Sequence, residues 1–211
     1  MKCPLCFNSR SQPIDRSSQF LSCNSCSIFF RDAAYFLSSE EERQRYLLHN
    51  NDPGDPRYQQ FVMPIVEAVC KEVTKGSTGL DFGAGTGPVI AQLLEDEGYR
   101  MVLWDPFFHR DKKVLDGMYD FIVCCEVIEH FHEPLKEFKL MLKMLKPGGS
   151  LYCMTELVPH PSEFESWYYK DDPTHVVFYS EKSLHWIKET LGFSELIVND
   201  RLITLRTNND Q

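Results

Sequence analysis

No run of apolar residues in this chain is long enough to cross a bilayer. About 18 are needed, and the longest stretch, 121–128, is interrupted by Glu126. No apolar segment follows the opening Met1-Lys2-Cys3-Pro4-Leu5-Cys6 either, so no secretory leader is expected. Both absences point to a soluble, cytoplasmic protein with no membrane partner. Positive charge is scarce as well: 22 Lys and Arg stand against 31 Asp and Glu, a net charge of −9. Bulk coating of DNA or RNA runs on phosphate neutralisation, and this balance excludes it. Compositional bias is missing too. An apolar fraction of 43 % and a charged fraction of 25 % exclude long disorder, collagen-like structure and a coiled coil. At 211 residues the chain makes one domain, or one with a small appendage, and folds without disulfide staples.

Cysteine is not scarce: there are eight. In a reducing compartment they are not expected to pair. Cys3-x2-Cys6 is followed sixteen residues later by Cys23-x2-Cys26, the spacing of a four-thiolate zinc site. Each Cys-x-x-Cys turn aims two thiolates at one point, and two turns complete a tetrahedron. Residues 18–23 and 27–31 look like strands, so 1–31 reads as a zinc ribbon. Residues 1–30 are slightly basic, with Lys2, Arg10 and Arg16 against Asp15. Four thiolates leave no open position, so the expected Zn2+ is structural and supplies folding energy to a unit too small for its own core. The alternative, four buried or redox cysteines, does not explain the repeated spacing. Cys70, Cys124, Cys125 and Cys153 sit in apolar runs and read as packing.

Residues 32–76 read as a helical linker and cap. Ser39-Glu40-Glu41-Glu42 opens a helix with acids in its first turn, where the helix dipole favours them. It runs towards His49. The turn formers of 49–56 break it, and the polar His49-Asn50-Asn51 is either a capped loop or a reach over a ligand. A second helix follows over 57–75, with Tyr58, Phe61, Val62, Ile65, Val69 and Val73 on one face.

The stretch Gly79-Leu80-Asp81-Phe82-Gly83-Ala84-Gly85-Thr86-Gly87 is the most informative. A strand ends near Phe82, glycines permit a close backbone approach, and Pro88 suits the first turn of a helix over 89–94. Strand, glycine turn and helix make a nucleotide-cradling unit. The dinucleotide pattern G-x-G-x-x-G fails, because Pro88 stands where its third glycine belongs. The run is G-x-G-x-G preceded by an acid, and it resembles motif I of the class I S-adenosylmethionine (SAM)-dependent methyltransferases.

Other segments carry the same resemblance. A strand over 100–104 ends in Asp105, where an acid can accept two hydrogen bonds from ribose hydroxyls. The alternative is a strand-end turn before Pro106. Tyr119-Asp120-Phe121-Ile122-Val123-Cys124-Cys125 is an apolar strand buried on both faces. It is followed by Glu126-Val127-Ile128-Glu129-His130, a pattern frequent in that family. A helix over 134–145 leads to Leu145-Lys146-Pro147-Gly148-Gly149-Ser150-Leu151, a family signature. A helix over 180–191 and two strands, 193–198 and 202–206, supply an antiparallel hairpin like the one that closes the family's sheet. The resemblance covers 57–206. It implies an α/β Rossmann-like sandwich, mostly parallel with one antiparallel strand, preceded by the zinc ribbon, with 77–211 as the SAM-binding domain.

The resemblance also implies the site. Asp81, Gly83, Ala84, Gly85, Gly87, Asp105, Pro106, Cys125 and Glu126 would bind SAM. Only fourteen residues separate Asp105 from Asp120, so the family's edge strand and its helix are expected to be missing or vestigial. Adenine would then lie against Pro106, Phe107 or Met118. The connection after 150–155 holds Phe164, Trp167, Tyr168, Tyr169, His175 and Phe178, and is too long to be idle; it would roof the site. His130 and His175 are the candidate catalytic bases, since imidazole titrates near neutral pH. Each has a structural alternative: His130 caps a strand-to-helix turn, and His175 ties the roof to the body. The expected activity is methyl transfer from SAM to a small-molecule or sugar-like acceptor, with a protein or RNA acceptor open. One alternative is a non-catalytic SAM-fold adaptor whose ribbon recruits a protein or RNA. Another, a nicotinamide oxidoreductase, is opposed by Pro88.

Overall fold

The computed structural model describes residues 1–15, 17–48, 52–160 and 162–209. The His49-Asn50-Asn51 turn lies outside the described residues. The cysteine-bearing segment forms three short antiparallel strands, β1 (Ser11–Pro13), β2 (Phe20–Cys23) and β3 (Phe29–Arg31). Two helices follow. The first, α1 (Ser39–Leu47), starts from a capping box in which Ser38 and Glu41 satisfy each other's backbone amides. The second, α2 (Pro56–Glu72), is capped by Asp55 with proline in its first turn.

The body then alternates strand and helix: β4 (Thr78–Phe82), α3 (Val89–Asp96), β5 (Arg100–Trp104), β6 (Tyr119–Cys125), α4 (Pro134–Met144) and β7 (Leu145–Met154). The chain continues through β8 (Val177–Phe178), α5 (Glu181–Leu191) and the hairpin β9 (Glu195–Asn199) and β10 (Leu202–Arg206). The main sheet has the order β5-β4-β6-β7-β10-β9. Strands β5, β4, β6 and β7 run parallel, and β10 is inserted antiparallel to both β7 and β9. This is the mostly parallel, Rossmann-like sheet with one antiparallel strand that the sequence leads one to expect. Its edge is β5. Between Asp105 and Tyr119 the chain makes only a bridge, Asp105 to His109, and a single 3-10 turn, Lys112–Asp116. Fourteen residues are too few for a crossover helix and a further strand.

Alternation along β6 explains the layering. Phe121 and Val123 face α2 and α3, packing with Val62, Ile65 and Leu94. Ile122 and Cys124 face the opposite layer, with Phe138 of α4 and Leu184 of α5. A strand covered on both faces is a continuous apolar run, and β6 is one.

The ribbon does not stand apart. Strand β3 pairs with β8, so the ribbon's sheet has the order β1-β2-β3-β8. Phe20 and Phe29 each pack on Phe164, with ring centroids 5.4 Å apart. The Arg31 guanidinium is buried and donates to the carbonyls of His175 (3.1 Å), Lys170 (2.9 Å) and Asp172 (3.1 Å). The Ser180 hydroxyl donates to the Ser27 carbonyl at 2.8 Å. Helix α1 also reaches the roof, through Arg45 and Asp172 at 2.7 Å.

Candidate active site

A cavity of about 1000 Å³ opens at the C-terminal ends of β4, β5 and β6, where parallel α/β sheets place their ligands. Its floor is the glycine turn. Gly83 and Gly85 have φ of +87° and +62°, a region that side chains avoid. A Cβ on Gly83 would also stand 2.4 Å from a methyl group of Val127. The bare backbone is thus required by packing as well as by conformation. Gly83 and Ala84 donate to the Trp104 carbonyl at 2.8 and 3.1 Å, which ties the turn to the end of β5.

Asp105 anchors the turn from beside it. Its Oδ2 accepts from the Gly85 amide at 3.0 Å, and its Oδ1 accepts from the amides of Phe107 and Phe108 at 2.8 and 3.0 Å. The two readings of this residue therefore meet: it orders a strand-end turn and it lines the cavity. With a single donor on Oδ2, that oxygen keeps a lone pair for a further donor.

Opposite the glycine turn lies a cluster of acids and imidazoles under the roof. Glu126 is held at φ +52°, an uncommon conformation for a side-chain-bearing residue. Its Oε1 accepts from Arg201 at 2.8 Å, and its Oε2 lies 3.0 Å from the Tyr169 hydroxyl. That hydroxyl has one proton, and the closer acceptor is Glu129 Oε1 at 2.5 Å. Thr155 Oγ1 sits 3.0 Å from the same oxygen. Burial, reinforced by the neighbouring Glu129, pushes Glu126 up to about 8. Burial also raises Glu129 to about 7, against the pull of Tyr169, its own amide and Thr155.

His130 Nδ1 is 2.9 Å from the Thr174 carbonyl, and His175 Nδ1 is 2.7 Å from the Tyr169 carbonyl. The rings meet edge to face with centroids 4.8 Å apart. Burial lowers the pKa of His130, and takes His175 down to about 3, helped by the neighbouring His130. Both are therefore neutral imidazoles at pH 7. Tyr46 of α1 closes this side, its ring 5.3 Å from His130 and 5.6 Å from Phe107.

Of the residues read from the sequence, Gly83, Ala84, Gly85, Asp105, Pro106, Cys125, Glu126, His130 and His175 all line this one cavity. Asp81 and Gly87 do not. Asp81 is buried beneath the turn, where burial and the charge of Asp105 push it up to about 7 while the Ala91 amide pulls the other way. Phe107 lines the wall; Met118 is exposed and elsewhere. Arg45, Tyr46 and Arg201 were not anticipated. A signal for Arg201 exists: the Asn199-Asp200 turn precedes β10, whose first residue, Leu202, lies opposite Met154 at the mouth end of β7.

The four N-terminal cysteines converge. Their sulfurs all lie within 4.8 Å of one another, with Cys3 to Cys26 and Cys6 to Cys23 both at 3.5 Å. Thiolates about 2.3 Å from one zinc ion stand about 3.8 Å apart, so the quartet fits such an ion. Amides of Cys6 and Ser25 point at the sulfurs of Cys3 and Cys23.

Residues 39–196 match the family model described as a methyltransferase domain. The ubiquinone biosynthesis O-methyltransferase of Sodalis glossinidius (strain morsitans) is 26 % identical over 91 residues, 43 % of this chain and 36 % of the relative. The match thus spans about a third of that relative's length. Among solved structures, the 1,6-didemethyltoxoflavin-N1-methyltransferase of Burkholderia thailandensis, with 1,6-didemethyltoxoflavin and S-adenosylhomocysteine bound, superposes with a TM-score of 0.57. Its identity is 15 %, over 95 % of this chain and 100 % of that one. An O-methyltransferase family protein from the same species gives 0.56 at 13 % identity, over 89 % of this chain and 66 % of that one. At these identities the likeness concerns the fold.

Proposed function

This chain belongs to the methyltransferase domain family, whose model spans residues 39–196, and from that premise we propose that it transfers a methyl group from SAM to a small-molecule acceptor. The observation that carries the proposal is the shared cavity: the glycine turn and Asp105 form one wall, and the acid and imidazole cluster forms the other. SAM supplies a methyl group on a positively charged sulfur. In the transfer the carbon–sulfur bond breaks, a bond to the acceptor forms, sulfur keeps the electron pair and becomes neutral, and any acceptor proton leaves to a nearby base or to water.

Gly83, Ala84 and Gly85 would pass beneath the amino-acid part of SAM and its ribose. Asp105 Oδ2 would accept from a ribose hydroxyl, and Pro106 and Phe107 would lie against adenine. Cys125 and Glu126 end the strand that faces the transferred group. Asp81 and Gly87 would support the turn from below and behind. Alignment supplies much of the acceleration in such a displacement. His130 and His175 are the proposed proton-handling pair. As weakly basic neutral imidazoles they orient an acceptor N–H or O–H by accepting a hydrogen bond from it.

We place the ribbon at 1–31, the cap at 32–76 and the SAM-binding domain at 77–211. Zn2+ on Cys3, Cys6, Cys23 and Cys26 would be structural. The pairing of β3 with β8 supports a ribbon that braces the roof rather than one that presents a macromolecular substrate. The Sodalis glossinidius O-methyltransferase and the toxoflavin-type N-methyltransferase are consistent with a small acceptor, as are the acidic body and the aromatic roof. The comparisons lend no support to the non-catalytic adaptor.

Calorimetry with S-adenosylhomocysteine tests the reading. The zinc-loaded protein is expected to bind one equivalent, and Asp105→Ala to weaken binding at least about tenfold, the loss of a charge-assisted hydrogen bond. A wild-type protein that gives no binding heat refutes it.

A further inference from the structure

Among the described residues, three side chains under the roof carry lone pairs with no hydrogen-bond donor. One carboxylate oxygen of Glu129 and one ring nitrogen each of His130 and His175 lie within 4.8 Å of one another. The tautomers follow from the partners. Nδ1 of each imidazole faces a backbone carbonyl, Thr174 for His130 and Tyr169 for His175. A carbonyl only accepts, so each Nδ1 carries the proton and each Nε2 keeps its lone pair. Glu129 is fully buried. Its Oε1 accepts from Tyr169 at 2.5 Å, while its Oε2 has no hydrogen-bond partner among the described residues. A buried carboxylate oxygen without a donor is unfavourable until something compensates it. Neither Nε2 has a proton to relieve it; His130 Nε2 stands 3.9 Å from Glu129 Oε1.

We propose that Glu129, His130 and His175 bind a divalent first-row transition cation, with its remaining coordination positions open to the cavity. The donor set is two imidazoles and a carboxylate, which suits manganese, iron, cobalt or zinc rather than calcium or magnesium. Three protein ligands leave room for water or a further oxygen donor. The surrounding contacts are those of a supported metal site: each imidazole is oriented through its Nδ1–H, and the carboxylate through Tyr169. Ligands on one such cation stand about 3 Å apart, so binding draws the three side chains inward. Glu126 stays outside this set, held by Arg201. The role of the cation, which rests on the proposed function, is to fix an oxygen of the acceptor. With the cation bound, the two imidazoles act through it and not as bases.

The test uses the full chain with the cysteine quartet saturated by zinc, titrated with Mn2+. Electron paramagnetic resonance counts the free ion, and water proton relaxation reports open positions on the bound one. The expected result is one Mn2+ per chain with enhanced relaxation, weakened at least about tenfold in Glu129→Gln and in His130→Gln. Circular dichroism establishes which variants fold, and either one alone suffices. No binding beyond the zinc, or several weak sites that persist in a folded variant, overturns the proposal. Calorimetry with S-adenosylhomocysteine on the same samples keeps the two claims separate: binding of the nucleoside without Mn2+ removes only the cation site, and the reverse removes only the methyltransferase reading.

Discussion

Asp81 and Asp105 end neighbouring parallel strands and are put to opposite uses. Asp105 faces the cavity and is surrounded by amide donors, three in all. Asp81 is 4 % exposed, and burial beside Asp105 pushes it up to about 7. A folded-state value above the unfolded one, near 4, means that the fold favours the protonated acid. Its favourable contribution is complete below pH 4 and is lost as pH rises through 7. Asp81→Asn removes that dependence. The variant's stability advantage over wild type in urea melts is expected to grow between pH 4 and 8, to no more than about 4 kcal/mol. A difference that stays flat across that range contradicts the account. Both acids could be found in the sequence, Asp81 as the acid ahead of the glycine run and Asp105 at the end of a strand, but depth could not. Nothing local distinguishes a carboxylate beneath the glycine turn from one beside it. Glu129 and Tyr169 are a sharper case: they are 40 positions apart, and only the folded roof brings them to 2.5 Å.

The elements of the body were readable because each carries its own period and its own stops. Strand β6 is an apolar run, α5 begins at a Ser180 capping box and ends at Gly192 in the left-handed conformation, and α4 begins at proline. The missing edge strand was readable from the fourteen residues between Asp105 and Asp120 set against the pattern of the family the chain resembles. Strand β8 was not. It is two residues inside an aromatic connection, and its partner, β3, lies near the other end of the chain. The glycine turn is the element whose failure is easiest to stage. Gly83→Ala meets both a positive φ and Val127, and is expected to destabilise the chain by about 1–3 kcal/mol and abolish nucleoside binding. Adding Val127→Ala relieves the contact but not the backbone, so urea denaturation should show partial recovery. Full recovery would assign the whole cost to packing.

On the scale of the molecule, the ribbon, the roof and the α1 cap form one continuous cover over an acidic, open-mouthed sandwich. None of the helices among the described residues is long and apolar enough to cross a membrane. Arg31 is the keystone of the cover, since its guanidinium meets three carbonyls of the roof. Arg31→Met keeps the stem and removes the donors. The carbonyls of His175 and Lys170 lose the Arg31 donor and that of Asp172 keeps the His175 amide alone, a loss expected to cost about 1–3 kcal/mol. Amide exchange across 168–176 should quicken, while the zinc binding proposed for Cys3, Cys6, Cys23 and Cys26 should be unaffected. A variant whose roof exchanges as slowly as wild type would show that the ribbon merely adjoins the roof.

A crystal grown with S-adenosylhomocysteine examines the core of the account most directly. The account predicts the amino-acid moiety over Gly83–Gly85, a ribose hydroxyl within hydrogen-bonding distance of Asp105 Oδ2, and the sulfur turned towards Glu126 and the two imidazoles. Electron density for the nucleoside anywhere else, with this cavity filled by the protein's own side chains, would contradict it.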